Sequence, residues 1–572
     1  MALQVIGALV AAAYNALSND LNPVEWIGVL AVLVIVALRP RAGTVFFRAV
    51  ELRLAALARR RRLAIVAVFA LALVLRAALL PLNPIPVPAV TDEFSHLLLA
   101  DTLAHGRLAN PPHAMWRHFE TIHVLQQPVY ATVYFPGQGA MLAAGKVVAG
   151  QPWWAVWFTV ALLCGVLTWM LEGCLPPAWA LLGGLIAVLR LALFNYWVDS
   201  YWGGALPALG GTLVLGAWLR LRSEASVSQA LLLGAGAVVL AATRPYEGGI
   251  LCASVGAALV WQRLRGPARE WRPYLLRVAL PAMAMLLCGA ALEAAYIRAV
   301  TGSPLRLPYA INQATYGWPM TLAWFHPQPM AHEHLQMHQY YLWELSLHQS
   351  LFAIPILLVK AEQLWRFFIG PALTLTLLFG SRAWRDRRIR ALLVPGSVVA
   401  LAVMTEQSSY PHYFSPAIGI VFALLLQSLR HVRAGGPRGL ALARMLPMVL
   451  LLAVGFRVAA VPLHYRFRSL GNHLSWCCNQ PGNLERSAVL ARLTGEPGRH
   501  VVIVRYRANH PFLDEWVYNE ADIDHAKVVW ARDMGTGGNA ELLRYFSGRR
   551  IWTVDADLVP AGMVEVGPGS NE

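Results

Sequence analysis

Residues 59–94 read RRRRLAIVAVFALALVLRAALLPLNPIPVPAVTDEF. Four arginines open the stretch, an apolar run from Leu63 to Leu80 follows with Arg76 as its one charge, and Pro81, Pro84, Pro86 and Pro88 then break any helix. A bilayer core about 30 Å thick needs roughly 20 apolar residues in a helix. Arginines flanking such a run stay on the cytoplasmic side. The stretch therefore predicts a membrane span that carries the acid pair Asp92-Glu93 to the outer surface.

The rest of the chain repeats that grammar. Of 572 residues, 57% are hydrophobic and 14% charged, against about 45–50% and 25% in a soluble domain. A soluble enzyme, a DNA-binding protein and a disulfide scaffold are thereby excluded as readings of the whole. The net charge of +16 sits in short arginine clusters between apolar blocks, which orients a membrane protein and predicts no nucleic-acid partner. Those clusters lie at 39–62, at Arg263, Arg265, Arg269 and Arg272, at 382–390 and at 430–438. The long segments 81–136 and 297–349 hold two basic residues each and should face outward.

Spans are expected at roughly 24–38, 63–80, 155–172, 179–196, 205–220, 228–243, 247–263, 274–296, 364–380, 391–404, 414–429 and 440–462, with 2–17 as one more. Residues 137–149 are short for a crossing and read as an in-plane or re-entrant part of the first outer loop. The fold class is thus mainly α, a polytopic bundle of 12–13 spans. Three parts follow: N-terminal hydrophobic segments and an arginine-rich linker (1–62), the main transmembrane domain (63–462) with outer loops 81–154 and 297–349, and a small extracytoplasmic α/β domain (463–572). In that tail Val501–Val504, Val528–Trp530 and Ile551–Val554 read as strands and Asn539–Phe546 as a helix. Cys164, Cys174, Cys252 and Cys288 read as packing residues, while adjacency disfavours an ordinary bridge between Cys477 and Cys478.

Ionisable residues at membrane depth are costly and so mark function. Asp92 suits a general base for an acceptor hydroxyl or amine, while spacing alone favours its reading as a cap for a helix Glu93–Ala104. His118, Glu120, His123, Tyr134 and Gln138 lie further along the same charge-poor loop, in a composition suited to a sugar or headgroup. Asp199 falls on the same side, as a second acid or a loop cap. Arg244, in Thr243-Arg-Pro-Tyr-Glu247-Gly, offers a planar fork for phosphate oxygens, or pairs with Glu247 across a turn. Arg76 can reach a phosphate or simply snorkel. The second outer loop holds His326, His332, Glu333, His334, His338 and His348. The four-residue spacing of His334 and His338 makes them weak metal candidates, because Leu335 replaces the glutamate of the zinc-peptidase pattern. Ser409-Tyr-Pro-His412-Tyr413 opens a late span on the outer side.

An acidic pair in the first outer loop, a return through Tyr134-Phe-Pro-Gly137, the Arg-Pro-x-Glu-Gly element and a late His412-Tyr413 together resemble the GT-C glycosyltransferases. Within them the chain is most similar to the protein mannosyltransferase and lipid A aminoarabinose transferase group, over roughly 63–462. The chain departs from that group in having Phe135-Pro136 where Pro-Pro is usual, in an inserted Tyr246, and in lacking the phosphate-binding lysines. The resemblance implies an inverting transferase that moves a hexosyl or pentosyl group from a polyprenyl-phosphate donor to a lipid, glycan or protein acceptor outside the membrane. It implies Asp92 as catalytic acid with Glu93 as its partner, and Arg244 as donor-phosphate ligand. No cofactor follows with certainty, and a divalent metal stays open. A transporter or flippase of a lipid-linked glycan, and a glycan ligase or polymerase using the histidine-rich loop, are the alternatives.

Overall fold

A computed structural model describes residues 2–265, 271–318, 322–408, 410–468, 474–479 and 481–566; Arg269 and Ser409 lie outside the described residues. Each apolar run expected to span carries a helix, although that of 179–196 ends at Leu191 and that of 364–380 is interrupted at Ile369. Among the described residues, four helices are by themselves long and apolar enough to cross a membrane: Trp153–Leu171, Trp271–Thr301, Ser415–Arg433 and Gly436–Ala460. Two bent pairs raise that number to six, and five apolar helices are shorter. The chain is an integral membrane protein by these helices, and a count of 12–13 crossings remains an expectation. Residues 137–149 fall in a 14-residue helix, Pro136–Ala149. It lies on the helix Thr91–Ala104 so closely that a Cβ at Gly139 would meet Leu99 Cδ2 at 2.5 Å.

Small residues let the bundle close. The helices Ala205–Leu221 and Val227–Ala241 touch backbone to backbone where Gly210 faces Gly236, and an added Cβ at either would come within 2.6–2.9 Å of the other's carbonyl oxygen. Close approach of this kind replaces the hydrophobic drive that lipid does not supply.

The expected span 364–380 is broken. The helix Ile354–Phe368 ends and Gly370–Phe379 begins on either side of Ile369, with Gly370 at φ +66°. A break inside a membrane needs partners for the freed backbone groups. One buried ion pair supplies both ends. Arg190 Nη2 donates to the carbonyls of Arg366 and Phe367, each at 2.9 Å. Its Nη1 reaches Glu25 Oε1 at 2.8 Å, and Glu25 Oε2 accepts the amide of Ala372 at 3.0 Å. The Arg190 guanidinium also lies 3.9 Å over the Trp476 ring.

In the tail, a four-stranded sheet runs in the order Val528–Arg532, His500–Arg505, Arg550–Asp555, Gly562–Val566. The first three are parallel and the last antiparallel. The helix crossing between the parallel strands is Gly535–Tyr545, which begins four residues earlier than the sequence suggested. A second helix, Leu484–Gly495, and the edge strand Gly562–Val566 were not foreseen. The tail docks on the 81–154 segment: Phe94 stacks on Tyr518 at 4.5 Å, and the Tyr518 hydroxyl donates to the Ile122 carbonyl.

Cysteine readings need two corrections. Cys477 and Cys478 are joined to each other, in a tight turn whose amides both donate to the Ser475 hydroxyl; that local turn brings neighbouring sulfurs together where extended backbone would part them. Cys288 is exposed on an outer helix rather than packed.

Candidate active site

The Thr91–Ala104 helix begins two residues before its expected start, with Val90 at its N-cap. Asp92 is therefore not the cap. Glu93 is: its Oε2 accepts the amides of Ala89 at 2.7 Å and Val90 at 3.0 Å. Its Oε1 accepts the Tyr201 amide at 2.8 Å. Burial pushes the Glu93 carboxyl up to about 7 against these three donors. It ties the helix start to the 196–204 loop and does not line the cleft described next. Asp92, released from capping, points into that cleft with its side chain 20% exposed.

The cleft is open, with a cavity volume of about 150 Å³. Asp92, Tyr134, Arg244 and Tyr413 line it, so the structure gathers four residues from segments far apart in sequence. Tyr134 donates to Asp92 Oδ1 at 2.5 Å. Burial first, and then Asp92, holds the Tyr134 phenol well above its usual range, so it stays a donor. In the same cleft Arg244 stands at the N-cap of the helix Pro245–Leu264. Its guanidinium lies 4.2 Å over the Tyr413 ring and 3.8 Å from Glu247, beyond hydrogen-bond reach. Aromatic rings close the space: Trp202, Tyr309, Trp318, Tyr340, Trp343 and Tyr410.

The other candidates lie elsewhere. Arg76 is fully buried, donating to Asp199 at 2.9 Å and to the Asn83 carbonyl at 2.8 Å, over the Trp153 ring. It neither snorkels nor faces the cleft, because Asp199 occupies it. Asp199 in turn serves Arg76 and Asn83 and is not a second acid at the cleft. Gln138 donates to the Tyr201 carbonyl, Glu247 is buried behind Arg244, and the His412 ring meets the Tyr196 hydroxyl at 2.9 Å. These three sit behind the wall. His118 meets the Arg532 carbonyl and Glu120 accepts from Tyr316 at 3.0 Å; both belong to the seam with the tail.

The histidine-rich loop divides. His334 approaches Glu120 at 3.5 Å, whereas His338 turns to His332 at 3.4 Å. The i,i+4 pairing of His334 and His338 fails because His334 precedes the helix Leu335–Gln349 as its N-cap. Among the described residues, Glu120, Glu333 and His334 can converge on an ion, as can Asp20, Cys477 and Cys478. The first set mixes nitrogen and oxygen donors suited to a divalent ion; in the second, two of the donors are joined as a disulfide.

Several lining residues escaped the sequence reading: Tyr309, Trp318, Tyr340, Glu344 and Gln407. A usable signal existed for one pair. Tyr340 and Glu344 stand four apart on one helical face, in a loop otherwise poor in charge.

No protein-family model matches the chain, and no curated protein matches it. Solved structures do. It is similar to ArnT. That structure, from Cupriavidus metallidurans in the apo state, has 14% identity and a TM-score of 0.47, with 86% of this chain and 92% of that one covered. The Archaeoglobus fulgidus oligosaccharyltransferase in complex with Zn and sulfate has 11% identity and a TM-score of 0.40, covering 85% and 67%. AglB from the same organism, in complex with an inhibitory peptide and a dolichol-phosphate, has 10% identity and a TM-score of 0.41, covering 86% and 69%. Likeness at this level concerns the overall arrangement and assigns no residue a role.

Proposed function

We propose that the chain is a GT-C-type glycosyltransferase taking a sugar from a polyprenyl-phosphate donor. The observation that carries this reading is the presence, in the lining of one aromatic-rich cleft, of a carboxylate free of helix capping, Asp92, and an arginine, Arg244, whose guanidinium makes no hydrogen bond among the described residues. A carboxylate alone suits many hydrolases, and an arginine alone suits any anion. Together with rings for a sugar face, they match a reaction that removes a proton at one end and releases a phosphate at the other.

In this mechanism Asp92 takes the proton of an acceptor hydroxyl or amine through Oδ2, while Tyr134 holds Oδ1. The freed lone pair forms a bond to the anomeric carbon from the face opposite the phosphate. The bond from that carbon to the phosphate oxygen breaks, which inverts the centre. Arg244 meets the charge that develops on the leaving lipid phosphate, and Tyr413 keeps its planar fork aimed. Glu93 acts one step removed, by fixing the helix start that presents Asp92. A divalent ion, if bound by Glu120, Glu333 and His334, would brace the loops beside the cleft, and no step is assigned to it. The cleft, the 81–154 and 297–349 loops and the tail lie on the extracytoplasmic side in this reading.

The test is binding and then transfer. Detergent-purified protein is titrated with undecaprenyl phosphate and with the neutral undecaprenol by native mass spectrometry. A complex that depends on the headgroup is expected, retained in Asp92→Asn. Equal binding of the two lipids sinks the donor class. Transfer by Asp92→Asn at the wild-type rate sinks the catalytic assignment.

A further inference from the structure

From the catalytic carboxylate a line of side chains runs across the cleft to a second acid that the mechanism above does not use. The Thr91 hydroxyl has one proton and two acceptors in reach, Asp92 Oδ2 at 3.3 Å and His123 Nδ1 at 3.1 Å. His123 Nε2 lies 2.9 Å from the Tyr340 hydroxyl, which donates to Glu344 Oε1 at 2.7 Å. Gln407 holds the other oxygen of Glu344 at 2.8 Å. The line is not a loose contact network. His123 sits at φ +64°, a costly conformation for a non-glycine residue, and its carbonyl is fixed by the Ser95 hydroxyl at 2.7 Å and the Val133 amide at 3.2 Å.

Counting protons along the line gives it a direction. A charged Glu344 can only accept, so Tyr340 must donate to it. The Tyr340 oxygen is then left to accept from His123, whose proton is therefore on Nε2. That leaves Nδ1 bare, and the Thr91 proton goes to Nδ1. Asp92 Oδ2 is left without a donor from Thr91. If Glu344 is protonated, each bond can reverse: Tyr340 donates to Nε2, Nδ1 carries the proton, and Thr91 donates to Asp92 Oδ2, occupying the lone pair a general base needs.

We propose that Glu344 is a positioning residue, which through Tyr340 and His123 turns the Thr91 proton away from Asp92 and so frees Oδ2 for the acceptor. The proposal rests on the reading of Asp92 as the acceptor's base. Burial pushes the Glu344 carboxyl up to about 7, against its Tyr340 and Gln407 donors, and Asp92 adds to the rise. Burial also holds the His123 ring below its usual range, so it crosses neutrality as a neutral donor–acceptor. Facing Glu344 are Tyr340 on its own helix, Gln407 and Tyr410 on the loop before the Ser415–Arg433 helix, and Asp92 opposite. Facing His123 are Thr91, Asp92 and His96 on the Thr91–Ala104 helix, with Tyr134 and Trp318 beside the ring.

The test reads the histidine tautomer directly and needs no donor sugar. The full chain, labelled with ¹⁵N-histidine and purified in detergent, is titrated across neutrality by NMR, with His123→Gln used to assign the His123 signals. Wild type should pass from the Nδ1–H to the Nε2–H form as pH rises, with its midpoint near neutrality. Glu344→Gln and Tyr340→Phe should each lose that transition. A His123 ring that keeps one tautomer throughout, or that switches unchanged in Tyr340→Phe, overturns the proposal. So does loss of the folded state in both variants, which would assign the line to packing. Undecaprenyl phosphate binding is read separately on the same preparations, so failure of the donor reading leaves this result standing.

Discussion

Replacing Arg244 by alanine tests the cleft most directly, because the geometry fixes the size of the effect. The guanidinium side chain is 25% exposed and stands 3.8 Å from Glu247, so its donors are neither spent on a neighbour nor open to bulk water. Two charge-assisted hydrogen bonds to a phosphate contribute about 1.5–3 kcal/mol each. Partial exposure and the nearby Glu247 charge lower the sum to roughly 2–4 kcal/mol. The dissociation constant for undecaprenyl phosphate should then rise roughly 30- to 1,000-fold in Arg244→Ala, with undecaprenol binding unchanged. Arg244→Lys keeps the charge but loses the fork and its stacking on Tyr413 (4.2 Å), and should recover all but about tenfold. Arg76→Ala is the control: it should lower thermal stability and leave the affinity intact. An Arg244→Ala affinity within a factor of about two of wild type would refute the placement of the phosphate.

Other expectations follow from single contacts. Arg190→Ala leaves Glu25 buried and uncompensated, and should cost about 3–5 kcal/mol, read as a fall in the detergent melting temperature. Gly211→Ala drives a methyl group into the Pro416 backbone and should cost about 1–3 kcal/mol by the same readout. His96 is buried, which lowers its pKa from 6.5 to about 3. The unfolded chain therefore binds more protons between those values, and the stability His96 contributes, fully present above 6.5, is lost as pH falls toward 3. The melting temperature of His96→Leu should accordingly fall less steeply with acid than that of wild type.

Spans and cleft were legible to different degrees, for a physical reason. An apolar run of spanning length carries its own instruction, and so the segments around Trp153–Leu171 and Gly436–Ala460 could be read directly. Asp92, Tyr134, Arg244 and Tyr413 could be found because each is polar at a depth where polarity is expensive. The partners that decide a residue's use were not legible. Arg76 meets Asp199 across 123 positions, and nothing local to either announces the other. The four-residue spacing of Tyr340 and Glu344 pointed to a shared helical face, but only the docking of the 335–349 helix lays Tyr340 against His123. The edge strand Gly562–Val566 has only partial burial, which leaves its alternation faint.

The interrupted helix at Ile369 has a bearing on how the first segment of the chain should be regarded. Glu25 belongs to a region outside the span of the family resemblance, where an accessory anchor would be the natural description. Yet its carboxylate secures the amide of Ala372, and the arginine it holds secures the carbonyls on the other side of the gap. The preceding half-helix in turn carries Lys360, whose ammonium holds the Glu406 carbonyl at 2.6 Å, next to Gln407 in the wall of the cleft. The opening segment is thus a keystone: pulled out, it would unseat a joint whose far end shapes the cleft.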